Sequence, residues 1–170
     1  MTVRWNTDGG VHEIPLGRLN GRPTGRLWLC GKHVIGPDPE ALLDRLGADT
    51  VVCLTERHEL ADRYPAYVSW LERDPRAVWF PVHDLHAPPL AAARPFYGSL
   101  LDRLADGEGL IVHCAAGIGR AGTTAVALLV LSGWELADAL AHVRAHRPMA
   151  GPEAGSQLEL LRRLAELSAG

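Results

Sequence analysis

The stretch "LIVHCAAGIGRAGTT", residues 110–124, constrains the fold of this chain more than any other. "GLIVHC" reads as a fully apolar strand, and "RAGTTAVALLVLSG" as a helix with apolar residues on nearly every side. Both belong in a core. Between them the small residues Ala115, Ala116, Gly117 and Gly119 let the backbone curl tightly. A buried strand leading through a tight loop into a buried helix is a building block of a parallel α/β sheet.

The remaining sequence agrees with that class. "RLWLCGKHVI" and "DTVVCLT" are short β-rich runs bracketed by Gly, Pro and Asp, and "PDPEALLDRLG" between them has helical spacing with Gly47 as its stop. That predicts a β-α-β beginning. "ERHELADRYPAYVSWLERD" reads as a helix broken at Pro65, "AVWFPV" as a strand and "AAARPFYGSLLDRLADG" as a helix ending near Gly107. "ELADALAHVRAHRP" and "PEAGSQLELLRRLAEL" are amphipathic helices separated by the turn "RPMAGP". The expected fold is α/β, a mainly parallel central sheet flanked by helices, with a helical C-terminal tail. A chain of 170 residues suits one compact domain, here residues 26–170, with residues 1–25 as an N-terminal extension packed on it.

Composition removes several classes of partner. A formal net charge of -3 gives no general attraction to nucleic acid or to an anionic membrane, so any anion must be bound locally. The N-terminal residues lack the apolar stretch of a secretory signal, and no apolar run approaches a membrane span, so a cytoplasmic monomer is expected. Cys30, Cys53 and Cys114 are odd in number, widely spaced and without a C-x-x-C pair, which predicts neither a disulfide framework nor a cysteine zinc site. "HELAD" at His58 carries Asp62 where a zinc-protease motif needs histidine, and His142 with His146 supplies only two ligands. No metal and no cofactor is expected.

Two signals overlap in the central loop. Gly117, Gly119 and Gly122 spell G-x-G-x-x-G, the pattern of a dinucleotide-binding turn. That turn should lead through its helix into a second strand ending in an acidic residue, whereas Glu135 and Asp138 lie in a second helical pattern. The other reading is an anion nest. If the backbone of residues 115–119 curls so that successive N–H groups point inward, the positive end of the next helix adds to the field. Arg120 would offer its planar fork to two oxygens of a bound phosphate. Cys114, at the bottom of the nest, would be stabilised as a thiolate and ready to attack phosphorus.

The motif "HCAAGIGR", His113 to Arg120, resembles the H-C-x5-R signature of the cysteine-based protein tyrosine phosphatase superfamily. "VVCLTERHEL", "WFPVHDLHAPP" and "VRAHRPMAGPEAGSQLELL" resemble matching segments of its compact dual-specificity branch, so the likeness runs from about Arg26 onward. The resemblance implies a phosphatase acting through a phosphocysteine. Cys114 would be the nucleophile, with the loop Ala115, Ala116, Gly117, Ile118, Gly119 and Arg120 holding phosphate. Asp84, thirty residues before the cysteine and followed by Pro88, would be the general acid and then the base for water. Gln157 resembles a glutamine that positions that water, and Pro148 a residue bounding the pocket. His113 would be structural, bonding loop carbonyls. His83 and His86 flank Asp84 and could tune it, although surface histidines need no such role.

One position departs from the family. Most members carry Ser or Thr directly after the arginine, where the hydroxyl donates to the sulfur, and this chain has Ala121. The second chemical step should be slower for it, and Thr123 and Thr124 point elsewhere on the helix. Cys53 is read as a small buried hydrophobe; some relatives pair a second cysteine with the nucleophile. Ala115, Ala116 and Ile118 carry no charge to meet extra phosphates, which argues against inositol phosphates. The chain is short for the larger tyrosine-specific domain and shows no counterpart of its phosphotyrosine-recognition loop. The expected substrate is a phosphorylated protein, on tyrosine or with dual specificity, or a small phosphate monoester. The alternatives are a phosphoinositide or nucleotide 5′-phosphatase, and a catalytically weak phosphate-recognition module.

Overall fold

The computed structural model describes residues 10–18 and 24–169. The chain enters through a two-residue edge strand, β1 (His12–Glu13), then runs through β2 (Arg26–Gly31) into a single helical turn, α1 (Lys32–Ile35). Helix α2 (Pro39–Leu46) starts where the Asp38 carboxylate accepts the Ala41 amide at 3.0 Å. It ends at Gly47, whose φ of 65° is open to glycine without penalty. Strand β3 (Thr50–Cys53), helix α3 (Pro65–Arg73), strand β4 (Ala77–Trp79) and helix α4 (Leu90–Ala105) follow. Strand β5 (Gly109–Cys114) then leads into helices α5 (Gly119–Leu131), α6 (Leu136–His146) and α7 (Gly155–Ser168).

The sheet order is β1-β2-β5-β3-β4, with every neighbouring pair parallel except β1 and β2. The α/β class is as the sequence implies. The first β-α-β unit differs in one respect, because β2 and β3 are not neighbours: β5 lies between them. All six residues of β5 are buried, and a strand that is apolar on both faces is most stable at the centre of a sheet covered on both sides. Its side chains alternate: Leu110, Val112 and Cys114 join the core beneath α4, α5 and α7, while Ile111 faces the core formed with α2 and α3. From Gly119 to Val130 every residue of α5 is buried, and each large apolar side chain there stabilises the fold by roughly 1.5–3 kcal/mol.

Two local expectations change. "KHVI" is a helical turn rather than strand, because the chain leaves the sheet at Gly31 and the Lys32 amide turns to the Ala115 carbonyl at 3.0 Å. Pro65 opens α3 instead of breaking a longer helix, a position where its missing N–H costs nothing. The preceding residues Arg57–Glu59 form a 3-10 turn. Residues 10–18 bury Val11, Ile14 and Leu16 against the sheet. Among the described residues no helix is long and apolar enough to cross a membrane.

Candidate active site

β5 delivers Cys114 to the carboxyl edge of the sheet, beside the N-terminus of α5, where open α/β sheets bind ligands. The peptide units after it are turned one way. The Ala115 carbonyl accepts the Lys32 amide at 3.0 Å, and the Ile118 carbonyl accepts the amides of Gly122 and Gly151, both at 3.0 Å. Arg147 supplies the partners between them, Nη2 to the Ala116 carbonyl at 3.0 Å and Nε to the Gly117 carbonyl at 2.7 Å. A trans peptide points its C=O and the next N–H in opposite directions. The amides of Ala116, Gly117, Ile118 and Gly119 therefore point away from those partners at the N-terminus of α5, the arrangement that an anion nest requires. Gly117 has φ 73°, and a Cβ there would strike the Cys30 carbonyl and lie 2.7 Å from Arg147 Nη2. Only glycine fits both demands.

Sequence reasoning missed Arg147 and singled out its half-buried neighbour Pro148 instead. Arg147 is fully buried, and its partners, backbone carbonyls and the His12 side chain, come from distant segments, which no local pattern announces.

Arg120, in the first turn of α5, is also buried. Its Nη1 and Nη2 donate to the two Glu59 carboxylate oxygens, both at 2.8 Å, and Nη1 also donates to the Val82 carbonyl at 2.8 Å. Asp84 Oδ1 lies 3.4 Å from Nη2. Burial opposes the charge on Arg120, but the Glu59 hydrogen bonds and the neighbouring Cys114, Glu59 and Asp84 outweigh it and raise its pKa further. Its Nε–H has no protein partner among the described residues, which leaves one buried donor for a ligand. Glu59 is the second residue that sequence reasoning missed. Burial alone would raise its carboxyl, yet the Arg120 hydrogen bonds and the Glu56 amide hold it below its ordinary value. Glu56, His58 and Glu59 bring three potential metal ligands within 4.8 Å of one another. Both Glu59 oxygens are committed to Arg120, so the cluster serves the arginine.

The other sequence candidates separate into those near the cysteine and those that brace the surroundings. The Asp84 side chain is 65% exposed, next to Arg120, and accepts the Leu85 amide at 3.0 Å. His83 bonds the Glu56 carboxylate at 3.0 Å and His86 the Asp84 carbonyl at 2.8 Å, so neither touches the Asp84 carboxylate by hydrogen bond. Gln157 is buried and engaged at both ends: Oε1 accepts the Glu153 amide at 2.7 Å, and Nε2 donates to the His86 carbonyl at 3.3 Å. It clamps the start of α7 to the loop that carries Asp84.

His113 bonds the Cys114 carbonyl through Nδ1 at 3.1 Å and Tyr67 Oη through Nε2 at 2.6 Å. A carbonyl only accepts, so the proton sits on Nδ1 and Nε2 accepts the tyrosine hydroxyl. Burial pushes the imidazole down to about 4, against the pull of the Cys114 carbonyl. The Thr124 hydroxyl donates to the Arg120 carbonyl at 2.9 Å, and the buried Thr123 hydroxyl has no partner among the described residues. Neither stands in for the hydroxyl that Ala121 lacks. All three cysteines are free thiols. Cys53 pairs in register with His113 and packs in the core opposite the one holding Cys114. Burial pushes Cys30 up to about 12 and Cys53 up to about 11. His142 and His146 each bond a backbone carbonyl, of Pro15 and of His142 itself.

Comparisons with known proteins agree with this geometry. The family description "Swiss Army Knife protein, DSP-PTPase phosphatase domain" matches residues 25–169. Dual specificity protein phosphatase 22-B of Danio rerio is 44% identical over 57 residues, 32% of this chain and 30% of that protein. The match therefore spans less than a third of that curated relative. Among solved structures, Tk-PTP in its active form is 28% identical with a TM-score of 0.68, covering 91% of this chain and 97% of that one. Kinase associated phosphatase, 20% identical, reaches a TM-score of 0.75 over 94% of this chain and 96% of its own. PTPMT1, solved in complex with PI(5)P, is 19% identical with a TM-score of 0.72 over 94% and 97%. These last two share the fold. The cysteine-bearing loop and the match along nearly all of residues 25–169 together place this chain in the dual-specificity phosphatase family of the cysteine-based protein tyrosine phosphatases.

Proposed function

We propose that this protein hydrolyses phosphate monoesters through a phosphocysteine intermediate and acts on phosphorylated proteins, on tyrosine or with dual specificity. The observation that carries the reading is the ring of four inward amides above Cys114, closed by the Arg120 fork that Glu59 holds flat. Three phosphate oxygens would lie against the amides and the guanidinium, leaving phosphorus in line with the sulfur. The Cys114 thiolate forms the S–P bond as the P–O ester bond breaks, and Asp84 gives its proton to the departing oxygen. Water then attacks phosphorus, Asp84 takes a proton from it, and the S–P bond breaks to return the thiolate and release phosphate. Ala121 offers no hydroxyl to the departing sulfur, which makes this second step the slower one. Gln157 holds the Asp84 loop in place from below. The chain needs no metal for these steps.

The substrate reading rests on the rim. Ala115, Ala116 and Ile118 carry no charge, and the carboxylates of Asp84 and Glu59 stand beside the nest, with Glu153 packed against Gly119. Further phosphates on an inositol ring would find no cation in that loop. Leu85 and Met149 are 51% and 75% exposed. They also hold left-handed backbone, with φ 63° and 69°, which for bulky residues is strained and tends to mark functional positions. Such a rim suits an apolar or aromatic group next to the phosphate. We read residues 26–170 as one phosphatase domain acting as a cytoplasmic monomer, with residues 10–18 packed on it; residues 1–9 and 19–23 of the expected N-terminal extension 1–25 lie outside the described residues, and the three free thiols suit a reducing compartment.

The test is a substrate panel with chelator present: phosphotyrosine and phosphoserine peptides, a nucleotide 5′-phosphate and an inositol phosphate. The reading predicts the highest kcat/KM on phosphotyrosine. Preference for the inositol phosphate or the nucleotide would replace it with the small-molecule alternative, and phosphate binding without turnover on any substrate would make the protein a recognition module.

A further inference from the structure

We propose that His12, on the edge strand β1, is a positioning residue for the phosphate-binding loop, acting through Arg147. The proposal deepens the reading of the site as a phosphate nest. Arg147 spans two parts of the molecule. At one end Nε and Nη2 hold the Gly117 and Ala116 carbonyls at 2.7 and 3.0 Å. At the other, Nη1 meets His12 Nδ1 at 2.6 Å, the Gly10 carbonyl at 2.8 Å and the Leu29 carbonyl at 3.3 Å. The guanidinium is planar and rigid, so fixing Nη1 fixes the direction in which Nε and Nη2 point. Those two donors turn the Ala116 and Gly117 carbonyls outward and thereby turn the Gly117 and Ile118 amides inward.

The chemistry of the pair sets the state of His12. Arginine only donates, so Nδ1 must accept, and the imidazole is neutral with its proton on Nε2. Protonation of Nδ1 would turn the acceptor into a second donor facing a buried cation.

Among the described residues, the strand that carries His12 is tied both to β2 and to the helical layer. Two residue pairs, His12 with Leu29 and Glu13 with Trp28, join it to β2. The Ile14 amide adds a bond to the Leu27 carbonyl at 2.9 Å, and Glu13 holds Arg26 through an exposed bidentate pair. Val11, Ile14 and Leu16 are buried beneath. β1 lies before residue 25, where the family match begins. His12 therefore lies outside the matched residues, while Arg147 and the loop it holds lie within them.

The experiment compares the full-length protein with His12→Ala and His12→Asn, the latter restoring an acceptor close to the position of Nδ1. Binding of inorganic phosphate is measured by calorimetry, alongside kcat and KM for an aryl phosphate and the thermal unfolding midpoint. Loosening the nest should weaken phosphate binding about tenfold and lower kcat/KM at least as much in His12→Ala, with most of both recovered in His12→Asn. Unchanged phosphate affinity in His12→Ala, or no recovery in His12→Asn, would overturn the proposal even if the unfolding midpoint falls. If His12→Ala does not fold, His12→Leu fills the same space without an acceptor and is read the same way. Phosphate binding needs no turnover, so the result stands even if the aryl phosphate is not hydrolysed and the phosphatase reading fails.

Discussion

Replacing Glu59 with glutamine separates the orientation of Arg120 from its mere presence. The wild-type carboxylate receives two hydrogen bonds from the guanidinium, both at 2.8 Å, in a pair whose side chains are 2% and 12% exposed. Hydrogen bonds to charged groups contribute about 1.5–3 kcal/mol each. Glutamine keeps the shape and one acceptor, turns an N–H toward the other guanidinium nitrogen, and leaves the charge of Arg120 less compensated. The Val82 carbonyl stays as a partner. The net loss is about 2–3 kcal/mol, which for a chain of this size lowers the unfolding midpoint by about 4–10 °C. Because the fork no longer lies flat against its support, kcat/KM on an aryl phosphate should fall by about a hundredfold.

The pH dependence of that loss follows from the direction of the Glu59 shift. Its folded pKa lies below the ordinary 4.5, so the pair contributes its full stability above that value and loses it as pH falls through the folded pKa. Urea unfolding of wild type and Glu59→Gln should therefore differ most near neutral pH and converge below about pH 4.5. A gap that does not narrow as pH falls below 4.5, or no gap at any pH, would refute the reasoning.

Three further outcomes are expected. His113 has a folded pKa pushed by burial from 6.5 to about 4; the unfolded chain takes up a proton first as pH falls, so urea unfolding should show about 3 kcal/mol lost between those values. A His113→Gln variant with the same slope would show that other groups cause it. Ala121→Ser should raise steady-state turnover by supplying the missing donor to the sulfur, and an unchanged kcat would mean that the second step does not limit the rate. Burial keeps Cys30 and Cys53 protonated at neutral pH, so iodoacetamide should label only Cys114 in the native protein, as read by mass spectrometry.

The parts of the site that are local in sequence were legible. β5, its loop and α5 are contiguous, and the spacing from Cys114 to Arg120 states the chemistry within one strand-to-helix turn. Asp84 came from resemblance, not from its own surroundings, which alone describe a turn aspartate. What holds these groups in place was not legible. Glu59 sits in "HELAD", a stretch that fails as a zinc motif, and meets Arg120 across 61 residues of chain. Arg147 reaches Gly117 across 30 residues and Gly10 across 137. Contacts of that range have no period to detect. The central place of β5 escaped for the same reason: apolar runs show that a strand is buried on both faces, but not which strands flank it.

The most direct test of the phosphocysteine mechanism is rapid-mixing hydrolysis of p-nitrophenyl phosphate by the purified protein with chelator present, set beside Cys114→Ser. A burst of p-nitrophenol approaching one equivalent per Cys114, followed by slow turnover and absent from the serine variant, is the predicted result. Linear release without a burst that persists in Cys114→Ser would contradict the account.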